Sequence, residues 1–186
     1  KLPSILADLA TACLVFVLAR KKQFSLTAAA ALSAFYLFNP AVLINSSIWG
    51  QVDSCLALIV AASLILLAEG KVGLASACFA LSIIMKPQGI IFLPVLFYEL
   101  LRLKSLEQWF KAVAAALLTT LILVLPFSIH EGPLWIFKLY ADTLSEYPYA
   151  SVNAFNFLSL MGANYVSDGV KPFLFSYNTW GLIFIV

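Results

Sequence analysis

The stretch Phe38–Val60, FNPAVLINSSIWGQVDSCLALIV, reads as two apolar helices joined by a polar hinge, SSIWGQVDS. The hinge carries Trp49, Gly50, Gln51 and Asp53 between apolar runs. An ionisable group in that position either caps the helix that follows or marks a site. Both alternatives are open from the residues alone. A carboxylate at Asp53 would accept a backbone N–H and meet the positive end of the helix, and Ser54 could do the same. Capping leaves Gln51 and the Trp49–Gly50 pair unexplained. An aromatic face, a glycine permitting close approach and two hydrogen-bonding groups suit contact with a sugar or a lipid head group.

The rest of the chain has the same apolar character. Of its 186 residues, 63% are hydrophobic and only 11% charged, with a mean hydropathy of +1.00. Soluble domains carry about a quarter of their residues as charges. The composition is that of an integral membrane protein, because a bilayer accepts apolar side chains on every outward face. The net charge of +2 therefore gives no nucleic-acid signal. Cys13, Cys55 and Cys78 lie inside apolar runs without metal-ligand spacing and read as small apolar side chains. No cluster of His, Cys or carboxylates has ligand spacing, and there is no P-loop, dinucleotide fingerprint or nucleophile elbow. No cofactor and no metal-ligating residues are expected; metal dependence is not given by the sequence. The chain opens KLPSILADL, with no initiator methionine or signal-peptide pattern, and stops within WGLIFIV, so it is expected to be an internal stretch of a longer protein.

Hydropathy predicts an all-α, polytopic transmembrane bundle of about seven membrane segments. They run about Pro3 to Leu18, Leu26 to Ile44, Val52 to Leu67, Val72 to Met85, Gly89 to Leu101, Trp109 to Leu125, and Thr179 to the end. Several fall short of the roughly 20 residues of a straight span, as broken or re-entrant segments do. The whole of 1–186 is expected to form one transmembrane domain. Its long connection, 128–178, is expected to hold an interfacial helix from about Pro133 to Ser145.

Cations give the orientation. Arg20, Lys21 and Lys22, then Lys71, then Arg102, Lys104 and Lys111 occupy alternate connections, which the positive-inside rule makes cytoplasmic. The extracytoplasmic side then receives SSIWGQVDS, MKPQG and 128–178. Asp8, Trp49, Gln51, Asp53, Lys86, Gln88 and YPYASVNAFN converge on that face. Asp8, Asp53 and Lys86 should therefore lie at one end of the bundle, away from Arg20–Lys22.

Each polar group has a bland alternative. Lys86 and Gln88 flank Pro87, which breaks the helix. The lysine there either snorkels to lipid head groups or binds an anionic phosphate. Asp8, a turn or two inside the first segment, either partners a backbone group or Lys86, or belongs to a site; both require it to point inward. Tyr147, Tyr149, Asn153 and Asn156 crowd one run, where tyrosines suit an interface and amides suit sugar hydroxyls. His130, beside Glu131, is the only histidine; it reads as a solvated loop residue, with ligand or base as the alternative.

The order of ADL, NPAVLINSSIWGQVDS, KPQGIIFLPVLFY and YPYASVNAFNFLSL resembles the GT-C superfamily of polytopic glycosyltransferases. More closely, it resembles bacterial and archaeal relatives of the dolichyl-phosphate-glucose-dependent glucosyltransferases and of mannosyltransferases using polyprenyl-phosphate-mannose. WGQVDS stands where the eukaryotic glucosyltransferases have His-Phe-Gln-Tyr-Asn. KPQ replaces a Lys-Gln pair, and SVNAFN a segment ending Val-Ala-Asn-Phe-Trp. The resemblance spans most of the chain through short motifs.

It implies transfer of a hexose from a polyprenyl-phosphate sugar to an acceptor glycan, lipid or protein. Transfer would occur at the extracytoplasmic face of a prokaryotic inner (plasma) membrane, by inverting displacement. The implied partners are membrane lipid, the lipid-linked donor and the acceptor, with no nucleic acid. Asp8, Trp49, Gln51, Asp53, Lys86, Gln88, Tyr149, Asn153 and Asn156 are the implied substrate-binding residues. The catalytic carboxylate of such enzymes lies in the first outer loop, so the general base is expected upstream of Lys1 and its identity is unknown. The alternative is a transporter or flippase for a lipid-linked or anionic substrate. A scaffold subunit with helix caps and interfacial aromatics is a third.

Overall fold

The computed structural model describes residues 1–186 except Pro133, Phe155 and Val186, and the side chains of Leu144 and Ile185. Among the described residues the secondary structure is helical, with two isolated bridges, Tyr149 to Ser167 and Ser151 to Asn164, and no strand. The chain separates into two units, Lys1–Pro126 and Phe127–Val186.

In the first unit, α1 spans Leu2–Lys21, with Pro3 in its first turn and Arg20 and Lys21 in its last. That order suits both helix ends: proline needs no partner at the start, and cations meet the negative end of the dipole. Ser25 caps α2, Leu26–Leu37, accepting from the Ala28 N–H at 3.1 Å. Asn39 caps α3, Pro40–Leu43, accepting from the Ala41 N–H at 2.9 Å. A π-helical turn, Ile44–Trp49, continues it. The expected single segment from Leu26 to Ile44 is thus broken, with a 45° bend between α2 and the Pro40–Trp49 pair. Pro40 supplies no N–H and forces Asn39 out of the helical region, to φ −63°, ψ 125°.

Next come α4, Asp53–Ala68, and α5, Val72–Met85, then a 3-10 turn, Pro87–Phe92. Two further helices follow, α6, Leu93–Leu103, and α7, Leu106–Glu131. The Ser4 hydroxyl donates to the Gln51 carbonyl at 2.6 Å, and Lys1 Nζ to the Ile48 carbonyl at 2.8 Å. At the other end of α1, Lys21 pairs with Glu69 at 2.8 Å. Helices α1 and α4 therefore run parallel. Helix α2 runs against α1, since Ser33 reaches the Ala12 carbonyl and Tyr36 reaches Asp8. Helix α5 runs against α4, bringing Lys86 back to Asp53.

Leu67, Val72, Ala75, Phe79, Leu96, Leu100 and Ala112 form the buried core, joining α4 and α5 to α6 and the start of α7. Ser63, Ser76 and Ser82 are fully buried beside it, and each hydroxyl donates to a carbonyl of its own helix. Small side chains with internally satisfied hydroxyls let apolar helices approach closely.

Helices α1 and α7, of 20 and 26 residues, are long and apolar enough to cross a membrane, and the bent α2–α3 pair is a third candidate. Helices α4 and α5 are apolar but have 16 and 14 residues. At 1.5 Å per residue they reach only about 24 and 21 Å, against a hydrocarbon core of about 30 Å. Length alone therefore supports two or three spans of the expected seven or so.

The second unit contains α8, Trp135–Ser145, α9, Phe157–Leu160, and α10, Tyr177–Ile185. Helix α8 occupies most of the expected interfacial helix; Pro133, the expected first residue, lies outside the described residues. So does Val186, the end of the expected last segment.

Candidate functional site

The site is assembled where two helix breaks meet. Helix α5 stops at Met85 because Pro87 disfavours helical geometry at Lys86, which is extended at φ −154°, ψ 122°. The Lys86 N–H still donates to the Ser82 carbonyl at 3.0 Å, and the Gly89 N–H closes back on the Lys86 carbonyl at 2.9 Å. Gly89 rests directly on the preceding helix. A Cβ there would stand 2.7 Å from Ser82 Oγ, 2.8 Å from the Ser82 carbonyl carbon and 2.9 Å from the Ile83 nitrogen. Lys86 is thus braced by backbone on both sides.

Its ammonium donates to Oδ1 of Asp53. Asp53 opens α4 without capping it: Val52 holds the N-cap position, and the carboxylate turns to the lysine. The pair is partly exposed, with side-chain exposures of 30% for Lys86 and 42% for Asp53.

Gln51 is half-buried, its backbone held by Ser4. One turn further along α1, Asp8 is buried at 3% exposure, and its Oδ1 accepts from the Tyr36 hydroxyl at 3.2 Å. Asp8 does point inward, as both of its alternatives required, but Lys86 pairs with Asp53 instead. Trp49 and Gln88 are exposed beside these groups in sequence.

Asp8, Gln51, Asp53 and Lys86 therefore gather at one end of the first unit. Lys21 and Lys71 gather at the other around Glu69, with Arg20 in the same last turn of α1 as Lys21. Lys111 belongs with them, since its carbonyl lies 3.9 Å from where a Gly73 Cβ would stand, at the start of α5.

In the second unit, Tyr149, Asn153 and Asn156 build their own loop. Asn153 adopts a left-handed φ of 50°. Its N–H donates to Asn164 Oδ1 at 2.8 Å and its Nδ2 to the Tyr165 hydroxyl at 2.7 Å. The Tyr149 ring meets Tyr165 edge-on at 5.8 Å. Asn156 caps α9, accepting from the Ser159 N–H at 2.9 Å. His130 and Glu131 are exposed at the end of α7.

Sequence reasoning missed the groups that hold the site: Lys1, Ser4 and Tyr36. It also missed a cleft of about 530 Å³ lined by Phe127, Glu131, Trp135, Lys138, Leu139 and Asp142. The signal for the cleft was present, because Trp135, Lys138, Leu139 and Asp142 recur at helical spacing on one face. Among the described residues, no group of three or more His, Cys, Asp or Glu could hold a metal ion.

A family model described as glycosyltransferase family 87 matches residues 2–171. The chain belongs to glycosyltransferase family 87. The match includes both helix breaks and the Lys86–Asp53 pair of the first unit and, in the second unit, the YPYASVNAFN loop. Comparison with curated proteins and with solved structures returned no match. Family 87 membership and the apolar helices make this an integral membrane glycosyltransferase of the GT-C type, and favour transfer over transport.

Proposed function

We propose that this family 87 protein transfers a hexose from a polyprenyl-phosphate sugar to an acceptor glycan, lipid or protein. We place the reaction at the extracytoplasmic face of a prokaryotic inner membrane, with about seven membrane segments, the short α4 and α5 among them. The observation that carries this reading is the Lys86–Asp53 pair: a partly exposed cation fixed in a helix break, at the end of the unit away from Arg20–Lys22 and Lys71. A fixed ammonium there is suited to the charge of a departing phosphate.

In an inverting displacement, the acceptor oxygen bonds to the sugar anomeric carbon as the bond from that carbon to the phosphate oxygen breaks. The electron pair leaves with the phosphate, and the acceptor proton passes to a carboxylate base. We assign Lys86 to the phosphate and Asp8, Trp49, Gln51, Asp53, Gln88, Tyr149, Asn153 and Asn156 to binding. The base is assigned to a carboxylate outside residues 1–186, as the resemblance implies.

The test is transfer by the full-length protein in membranes, supplied with polyprenyl-phosphate glucose and mannose in parallel. Lys86→Ala should lower kcat/KM by at least about tenfold, and Lys86→Arg should recover part of the loss. Full activity in Lys86→Ala would remove the lysine from the site.

A further inference from the structure

We propose that Asp53 is an exchangeable counter-ion for Lys86, and that it yields the lysine fully only to a phosphate carrying two negative charges. The inference rests on the proposed phosphate role of Lys86. It begins from the pair's setting. One carboxylate oxygen meets one ammonium, with 42% and 30% of the two side chains still exposed. At the proposed extracytoplasmic surface an ion pair this exposed is weak, so an incoming anion can replace the carboxylate.

The backbone keeps both partners in place during such an exchange. Lys86 is braced between Ser82 and Gly89, and Asp53 sits in the first turn of a 16-residue helix. Released from the lysine, the carboxylate stays partly exposed and close to the positive helix end, so no buried charge is left unpaired.

The charges then decide when exchange happens. A sugar phosphodiester carries one negative charge, the same as the carboxylate it must displace. The monoester left after sugar transfer carries about −1.5 to −2 at pH 7. A carboxylate competitor therefore matches the bound donor and loses to the departing phosphate. Lys86 gains its second partner as the leaving-group charge develops, so its stabilisation falls on the transition state more than on the bound donor. Without Asp53, the lysine would hold donor and product tightly alike.

The test uses full-length protein in nanodiscs at low ionic strength, with farnesyl phosphate as the monoester probe and its methyl diester as the single-charge probe. Wild-type protein should bind the monoester at least about tenfold more tightly than the diester. In Asp53→Asn the diester should gain at least about fivefold in affinity and the ratio should shrink. Lys86→Ala should lose the monoester preference. The proposal is overturned if the wild-type ratio is near one, or if Asp53→Asn weakens both probes or leaves the ratio unchanged. Should Asp53→Asn fail to fold, Asp53→Ser serves the same comparison, and the wild-type ratio needs no variant. If Lys86→Ala keeps full monoester affinity, the phosphate reading falls as well; if Lys86→Ala loses it while Asp53→Asn shows no gain, only the exchange falls.

Discussion

At Gly89 the backbone of the Pro87–Phe92 turn comes so close to α5 that no side chain fits. Two of the three atoms a Cβ would meet belong to backbone, at 2.8 and 2.9 Å, and cannot swing aside. Gly89→Ala must push the turn away from Ser82 and displace Lys86 with it. The expected cost is about 1–3 kcal/mol, the usual penalty for overpacking, read as a lowered Tm in detergent. An unchanged Tm would mean that the turn does not rest on α5. The sequence announced Lys86 through the Pro87 break beside it, and Asp53 through its place between apolar runs. That the two residues meet was not legible, because 33 positions separate them and hydropathy contains no pairing. The same holds for Asp8. Its inward direction followed from the cost of a lipid-facing carboxylate, whereas its partner Tyr36 required knowing how α1 and α2 are aligned.

Elements were legible where composition alone decides them. Val72–Met85 is the helix that hydropathy predicts, residue for residue, because polar signals bound it on both sides: Gly70 and Lys71 before it, Lys86 and Pro87 after. The apolar run from Leu26 hid its break, since Asn39 and Pro40 interrupt backbone hydrogen bonding without lowering the average hydropathy much. At the α4–α5 connection, Glu69 receives Lys21 and Lys71, each at 2.8 Å. Hydrogen bonding from Lys21, then from Lys71, holds its carboxyl down at about 2, against an ordinary value of 4.5. A carboxylate with a lowered folded-state pKa stabilises fully above its unfolded value, and that stability is lost as pH falls through the folded one. The Tm advantage of wild type over Glu69→Gln should therefore be present at neutral pH and shrink between about 4.5 and about 2. Added salt should reduce it, because the pairs are solvent-exposed. A Tm difference constant across that range would exclude Glu69 as the tie between α1 and α5.

Over the whole molecule, the one-sided placement of polar groups came from counting cations in alternate connections, which needs no packing information. Helix packing gives the same partition inside the first unit by an independent route: Glu69 collects Lys21 and Lys71, while Asp53 collects Lys86 at the opposite end. What counting could not supply was the number of crossings. Apolar composition does not distinguish a full span from the 14 and 16 residues of α5 and α4. The orientation itself can be read with cysteines at the two ends, after Cys13, Cys55 and Cys78 are replaced by serine or alanine. Lys22 and Gln88 are both exposed and lie at opposite ends of the first unit, Lys22 directly after α1 and Gln88 two residues past Lys86. In intact cells freed of their outer layers, a membrane-impermeant thiol reagent should label Gln88→Cys from outside. Lys22→Cys should react only after permeabilisation. The reverse pattern would turn the molecule over and put the Lys86–Asp53 pair on the cytoplasmic side, where a cytoplasmic sugar donor would have to replace the one proposed.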